Sequence, residues 1–155
     1  MKYVDDFLEY LKVVKKHSKN TIINYQVDIL EFKDYVKDKI LDIDKETVNG
    51  YLNYLYDEKV SKSTISRKLS SLRTFYNYLL DKEIIEMNYF SFIKNPKKDK
   101  RLPRFVSDNN VDKMLMIPDT RKPLGQRNLV IMRMLYATGV RVSELVNIKV
   151  KDIEI

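Results

Sequence analysis

The chain has 155 residues, 44% of them hydrophobic, with no cysteine, one histidine and a formal charge of +7. That length and apolar content allow one domain or two small ones with a real core, and exclude a disordered tail. The missing cysteines exclude disulfides and thiolate sites, and one histidine excludes a multi-histidine metal centre. No run of about 18 apolar residues occurs, and the start Met1-Lys2-Tyr3-Val4-Asp5-Asp6 has no signal-peptide core, so a cytoplasmic protein with no membrane segment is expected.

Glycine and proline are scarce, at three and four residues, so few breaks interrupt the helical periodicity. Val4, Phe7, Leu8, Leu11 and Val14 mark a first amphipathic helix. Ile22, Tyr25, Ile29, Phe32 and Val36 mark a second, after the capping stretch Ser18-Lys19-Asn20-Thr21. Val48, Tyr51, Leu52 and Leu55 mark a third, begun near Asp44. A fourth carries Ile65, Leu69, Leu72, Tyr76 and Leu79 and begins at Ser61 or Ser63; a short fifth lies near Asn88 to Ile93. These form an expected all-α domain over residues 1–93.

Residues 94–104 carry six basic side chains, one acid and two prolines, the composition of an extended interdomain linker. In the region 105–155, Ser107 is the expected N-cap of a helix with Val111, Met114 and Leu115, which Pro118 ends. Pro123 suits the first turn of the next helix. Its run Leu129-Val130-Ile131-Met132 and Met134-Leu135-Tyr136 reads as mostly buried, with Gly139 as a left-handed C-terminal cap and Arg141 opening a further helix. The stretch from Ile148 to Ile155 alternates like the opening of a strand. A lone strand cannot satisfy its backbone, so this region is expected to be the truncated start of a larger domain.

The charge is unevenly placed. Residues 1–60 carry ten Lys against twelve Asp or Glu, net −2, and residues 61–155 nineteen basic against ten acidic side chains, net +9. Such asymmetry favours nucleic acid, because neutralising phosphates releases condensed counterions. Between Lys59 and Asp81 there is no acid at all. At about 100° per residue, Lys62, Ser63, Ser66, Arg67, Ser70, Arg73 and Thr74 share one arc beside the apolar arc of the fourth helix. Short hydroxyls allow close approach to a DNA backbone, and arginines reach phosphates or guanine edges.

Arg141 stands just after the glycine stop, an always-charged planar fork suited to a phosphate. Its other reading is an ion pair with Glu144, worth about 0.2–0.5 kcal/mol. The stretch Leu135-Tyr136-Ala137-Thr138-Gly139-Val140-Arg141-Val142-Ser143-Glu144-Leu145 closely resembles the first catalytic-arginine motif of the tyrosine recombinases, particularly the bacterial Xer type. Ser18-Lys19-Asn20-Thr21 with Tyr25, Asp28 and Phe32, and then the stretch from Ser63 to Leu79, resemble the N-terminal core-binding domain of Xer recombinases and phage integrases. Asn95-Pro96 and Leu102-Pro103 sit where that family has its linker, so the motifs match in order from about Ser18 to Ile155.

The resemblance implies a SAM-like orthogonal helical bundle followed by the mainly helical start of a catalytic domain. It implies a duplex recombination site and other recombinase protomers as partners, no metal or cofactor, and strand cleavage through a 3′-phosphotyrosyl intermediate. Arg141 would be catalytic, Glu144 would orient it, and Ser143 would lie near the phosphate. Lys19, Asn20, Thr21, Lys62, Ser63, Thr64, Arg67, Ser70 and Arg73, with Lys97, Lys98, Lys100 and Arg101 of the linker, would contact DNA.

The family's His-x-x-Arg and nucleophilic tyrosine lie downstream of this motif. The sole histidine, His17, reads as a solvated inter-helix residue with Asn20 three positions on. Tyr10, Tyr25, Tyr51, Tyr54, Tyr76 and Tyr78 sit at packing spacing, and Tyr136 falls inside the expected buried helix. The chain is therefore expected to bind DNA without cutting it, as part of a Xer recombinase, phage integrase or transposon integrase. The rival is a stand-alone helical DNA-binding regulator, which has no use for the Arg141 motif.

Overall fold

The computed structural model describes residues 2–37, 39–97 and 106–152. The chain divides into two compact units, Met1–Lys100 and Arg101–Ile155. The first holds α1 (Lys2–Val13), α2 (Lys19–Tyr35), α3 (Lys45–Asp57), α4 (Lys62–Asp81) and a 3-10 turn at Tyr89–Phe92. The second holds α5 (Asp108–Leu115), α6 (Pro123–Thr138), α7 (Val142–Leu145) and a 3-10 turn at Val150–Asp152. Every regular element among the described residues is helical.

Local chemistry starts each long helix of the first unit. The Ser18 and Ser61 hydroxyls accept the Thr21 and Thr64 N–H groups at 3.3 and 3.2 Å. Both serines also lie 2.9 Å from the threonine hydroxyl, so Ser18-Lys19-Asn20-Thr21 and Ser61-Lys62-Ser63-Thr64 are one capping device used twice. The choice between Ser61 and Ser63 is thereby resolved in favour of Ser61. Asp44 caps α3, accepting Thr47 N–H at 2.8 Å. At the other ends of α2 and α3, Lys37 and Lys59 occupy the left-handed position that glycine commonly takes, with φ of 49° and 55°. Their side chains add positive charge at a helix C-terminus, where the macrodipole favours it.

The core of the first unit is built around α4. Ile65, Leu69, Leu72, Phe75, Tyr76 and Leu79 are fully buried, against Phe7 and Leu11 of α1, Ile29 and Phe32 of α2, Tyr51 and Leu55 of α3, and Phe90 of the 3-10 turn. Phe32 is the hub. Its ring lies edge-on to Tyr51, Phe90 and Tyr76 at centroid separations of 4.8, 5.2 and 6.2 Å. Tyr10, Tyr25 and Tyr78 pack against this core partly buried, whereas Tyr54 faces outward. The fifth helix shrinks to one 3-10 turn, because the Asn88 side chain bonds Phe90 N–H and caps a segment too short to propagate further.

The second unit departs from the sequence reading in two places. Within α6 only Gly125 is buried; Leu129, Ile131, Met132, Met134 and Leu135 are half-buried and Tyr136 is 60% exposed. The short helices α5 and α7 do not cover both sides of α6, so the expected mostly buried helix is half-buried, with Leu124, Val130 and Tyr136 exposed. Gly125 is required at its place: a Cβ there would come within 2.0 Å of the Asp119 carbonyl oxygen. The expected strand opening is a 3-10 turn at Val150–Asp152, residues 153–155 lying outside the described residues. Asp152 accepts Lys149 N–H on its side chain and donates its own N–H to the Lys149 carbonyl, a local alternative to ladder bonds.

Two buried tyrosines of the first unit make opposite use of their hydroxyls. Tyr76 donates to the Ile40 carbonyl at 2.5 Å, while the Tyr51 hydroxyl is buried with no hydrogen-bond partner among the described residues. Burial, then the nearby Glu31 and Asp28 carboxylates, push the Tyr51 phenol well above its ordinary pKa. Tyr76→Phe should cost about 1 kcal/mol in urea unfolding, and Tyr51→Phe should be neutral or stabilising; equal losses would contradict the assignment.

Candidate nucleic-acid interface

The outward arc of α4 carries a shallow depression of about 360 Å³ lined by Ser63, Thr64, Ser66, Arg67 and Ser70. Among the arc residues, Ser63, Ser66, Arg67 and Ser70 are brought together there, with Thr64 beside them. The Ser70 hydroxyl donates to the Ser66 carbonyl at 2.8 Å, and Thr74 to the Ser70 carbonyl at 2.9 Å. These protons are thus spent inside the helix, and the small side chains keep the floor low while their oxygens remain as acceptors.

Beneath the floor lies Asp28 of α2, fully buried. Arg67 Nη1 donates to both its oxygens, at 2.6 and 2.5 Å, and Ser71 Oγ donates to Oδ2 at 2.7 Å. Lys68, itself buried, places Nζ 3.6 Å from Asp28 Oδ1 and also bonds Glu31. The acid-free helix therefore draws its counter-charges from α2, and two of its cations are neutralised on site.

Arg73, half-buried, reaches from the same arc to the chain beyond α4. Its Nη2 donates to the Ile93 carbonyl at 2.8 Å and to Asn95 Oδ1 at 3.3 Å, and its Nε to the Phe90 carbonyl at 3.2 Å. Asn88 Nδ2 answers by donating to the Arg73 carbonyl and to Asn77 Oδ1. Arg73 thus clamps the 3-10 turn and the chain leaving it, adding a second donor to the Phe90 carbonyl, which also accepts Ile93 N–H, and supplying one to the Ile93 carbonyl.

Lys19 and Asn20 are exposed on the first turn of α2, with Thr21 half-buried behind them; Lys62 is exposed on the first turn of α4. Lys97 is exposed at the edge of the first unit, and Lys98, Lys100 and Arg101 lie outside the described residues. His17 is exposed, with its ring stacked 6.1 Å from Tyr25.

In the second unit Gly139 adopts φ +63°, and Arg141 caps α7 with extended backbone at φ −70°, ψ 148°. Arg141 donates its backbone N–H to Glu144 Oε2 at 2.9 Å and its Nη1 to Oε1 at 2.8 Å, with 81% of its side chain exposed. Those two bonds, the backbone one first, hold the Glu144 carboxyl below the ordinary range. The Glu144 ion pair is thus formed, and it leaves most of the guanidinium facing solvent. Ser143 is exposed in the first turn of α7. Tyr136 donates to Asp108 at 3.1 Å, and this bond foremost raises its pKa, disfavouring a phenolate.

Two family descriptions match the chain: "Phage integrase, N-terminal SAM-like domain" over residues 4–83 and "Phage integrase family" over residues 104–155. The chain belongs to the phage integrase family of tyrosine recombinases. It is 35% identical over 153 residues to "Tyrosine recombinase XerC" of Bacillus licheniformis, covering 96% of this chain and 50% of that protein. With the proteins of the same name from Bacillus subtilis and Staphylococcus aureus the identity is 34% over 99% of this chain and 39% over 97%, covering 52% and 51% of those proteins. The chain thus spans about half the length of these curated relatives. No solved structure matches it.

Within this phage integrase bundle, the buried charge of Asp28 beneath the α4 depression is what periodicity could not find. It occupies a helical position next to Ile29 on the core side, where a carboxylate is costly, and that cost was the available signal. Arg73→Ala should lower stability by about 2 kcal/mol in urea unfolding by freeing three acceptors. A variant as stable as the wild type would show that the clamp carries no weight.

Proposed function

We propose that this chain is the DNA-gripping part of a tyrosine site-specific recombinase. The observation that carries the reading is the α4 depression, a concave floor of hydroxyls and one guanidinium on the outward face of the bundle. Lys19, Asn20, Thr21 and Lys62 extend the contact from neighbouring helix starts, and Lys97, Lys98, Lys100 and Arg101 in the basic linker add sequence-independent attraction to phosphates. Other protomers on the same duplex are the expected protein partners. No helix among the described residues is long and apolar enough to cross a membrane, and a cytoplasmic site of action with the DNA is part of this reading.

In the whole recombinase, a tyrosine hydroxyl attacks the scissile phosphorus, the phosphotyrosyl bond forms as the bond to the 5′ oxygen breaks, and the departing oxygen takes a proton. Arg141 meets the non-bridging oxygens as charge builds on them, with Glu144 aiming its guanidinium and Ser143 beside it. Such a donor acts mainly in the transition state, so losing it costs roughly 10²–10³ in rate and little in binding. This chain alone binds duplex and leaves it uncut.

Fluorescence anisotropy on a duplex should show steep salt dependence, with a log-log slope near −5 if roughly six phosphates are neutralised. Salt-indifferent binding would overturn the proposal. In a whole recombinase carrying this sequence, Arg141→Ala should retain duplex affinity and lose covalent complex on a nicked suicide substrate. Wild-type accumulation would reduce Arg141 to its pair with Glu144.

A further inference from the structure

We infer that Asp28 is a positioning residue that turns Arg67 from a general phosphate contact into a reader of a paired acceptor on a base edge, as guanine O6 and N7 present in a major groove. The inference rests on the DNA-facing reading of α4 and specifies what that face recognises. Both hydrogen bonds from Arg67 to Asp28 leave from Nη1. A guanidinium has five N–H groups in a fixed plane, and Nη1 supplies two of them. The Nε–H and one Nη2–H then form the remaining parallel fork, on a side chain 42% exposed at the lining of the depression. That fork matches two acceptors side by side.

Charge decides which acceptors. Asp28 and Glu31 carry two negative charges against the two positive charges of Arg67 and Lys68, linked in one chain of ion pairs from Arg67 through Asp28 and Lys68 to Glu31. The cluster is neutral, so Arg67 adds little to the long-range field that draws a polyanion, and its value lies in direction. Ser71 and Lys68 complete the ligation of Asp28 and leave the carboxylate one orientation, which fixes the Arg67 plane before any DNA arrives. The ordering cost of an arginine side chain is thereby met in the free protein. A phosphate can be held by a lysine as a point charge as well as by the fork, whereas a paired acceptor on a base edge needs the plane.

The test sequences the duplexes that this chain retains from a pool with a randomised central block, alongside anisotropy on one fixed duplex over a salt series. The wild type should enrich guanine at one position. Arg67→Lys keeps the charge pair with Asp28 but loses the fork, and should retain thermal stability and salt slope while that enrichment falls by roughly tenfold or more. Asp28→Asn frees the guanidinium charge. It should lose the enrichment yet bind all duplexes more tightly at low salt, with a log-log slope steeper by up to about 0.9.

A buried ion pair of purely structural importance would give the opposite sign in Asp28→Asn: weaker binding to every duplex and an unchanged preference. That result overturns the inference, as does an Arg67→Lys variant with wild-type enrichment, or wild-type binding with no guanine preference. Should Asp28→Asn not fold, Arg67→Lys decides alone. Failure of the wild type to bind any duplex would instead overturn the DNA-binding function itself.

Discussion

Burial of one arc of α4 governs the first unit, since the same helix must close the core and present its other arc outward. Six α4 side chains are fully buried, and α1, α2, α3 and the 3-10 turn each contribute a fully buried partner to the same cluster. Helical geometry then leaves no freedom in where the remaining positions point. Ser63, Arg67 and Ser70 face outward because Ile65, Leu69 and Leu72 face inward. A recognition surface built this way is as rigid as the core behind it, and shifting a core contact displaces the surface with it.

A charged cluster intrudes into that packing where α2 meets α4. A fully buried carboxylate is tolerated at Asp28 because Arg67, Lys68 and Ser71 supply its counter-charges and donors. The net +9 of residues 61–155 therefore overstates the field of α4, two of whose cations are cancelled by acids from the net-negative part of the chain. In the DNA-binding function proposed above, long-range attraction belongs to the lysines and arginines outside this cluster, and short-range fit to the depression itself. Separating attraction from fit is a general economy in DNA recognition, because phosphate contacts carry no sequence information.

The second unit works by local chain geometry. The left-handed turn at Gly139 breaks α6, and Arg141 caps the next helix with its backbone held by Glu144. The guanidinium is aimed by one hydrogen bond to the carboxylate three residues away that also accepts the Arg141 backbone N–H, so its direction needs no distant contact.

Much of this was legible without coordinates. Apolar periodicity marked the four long helices, Ser18, Asp44 and the Ser61-to-Thr64 stretch marked their starts, and Gly139 and Arg141 marked the turn, because capping, glycine freedom and helical spacing act within a few residues. The sequence of α4 also separates its buried arc from its polar one. What it could not contain was the partner of each polar side chain. Asp28 lies 39 positions from Arg67, and the Ile93 carbonyl 20 positions from Arg73. Two arginines on one arc thus acquired different tasks, one held over a depression and one clamping the chain beyond. The 3-10 turns at Tyr89–Phe92 and Val150–Asp152 and the partial exposure of α6 were likewise decided by what packs or bonds nearby. Local energetics select elements from sequence, whereas the assignment of a charge to solvent, ligand or counter-charge depends on which distant segment folding places against it.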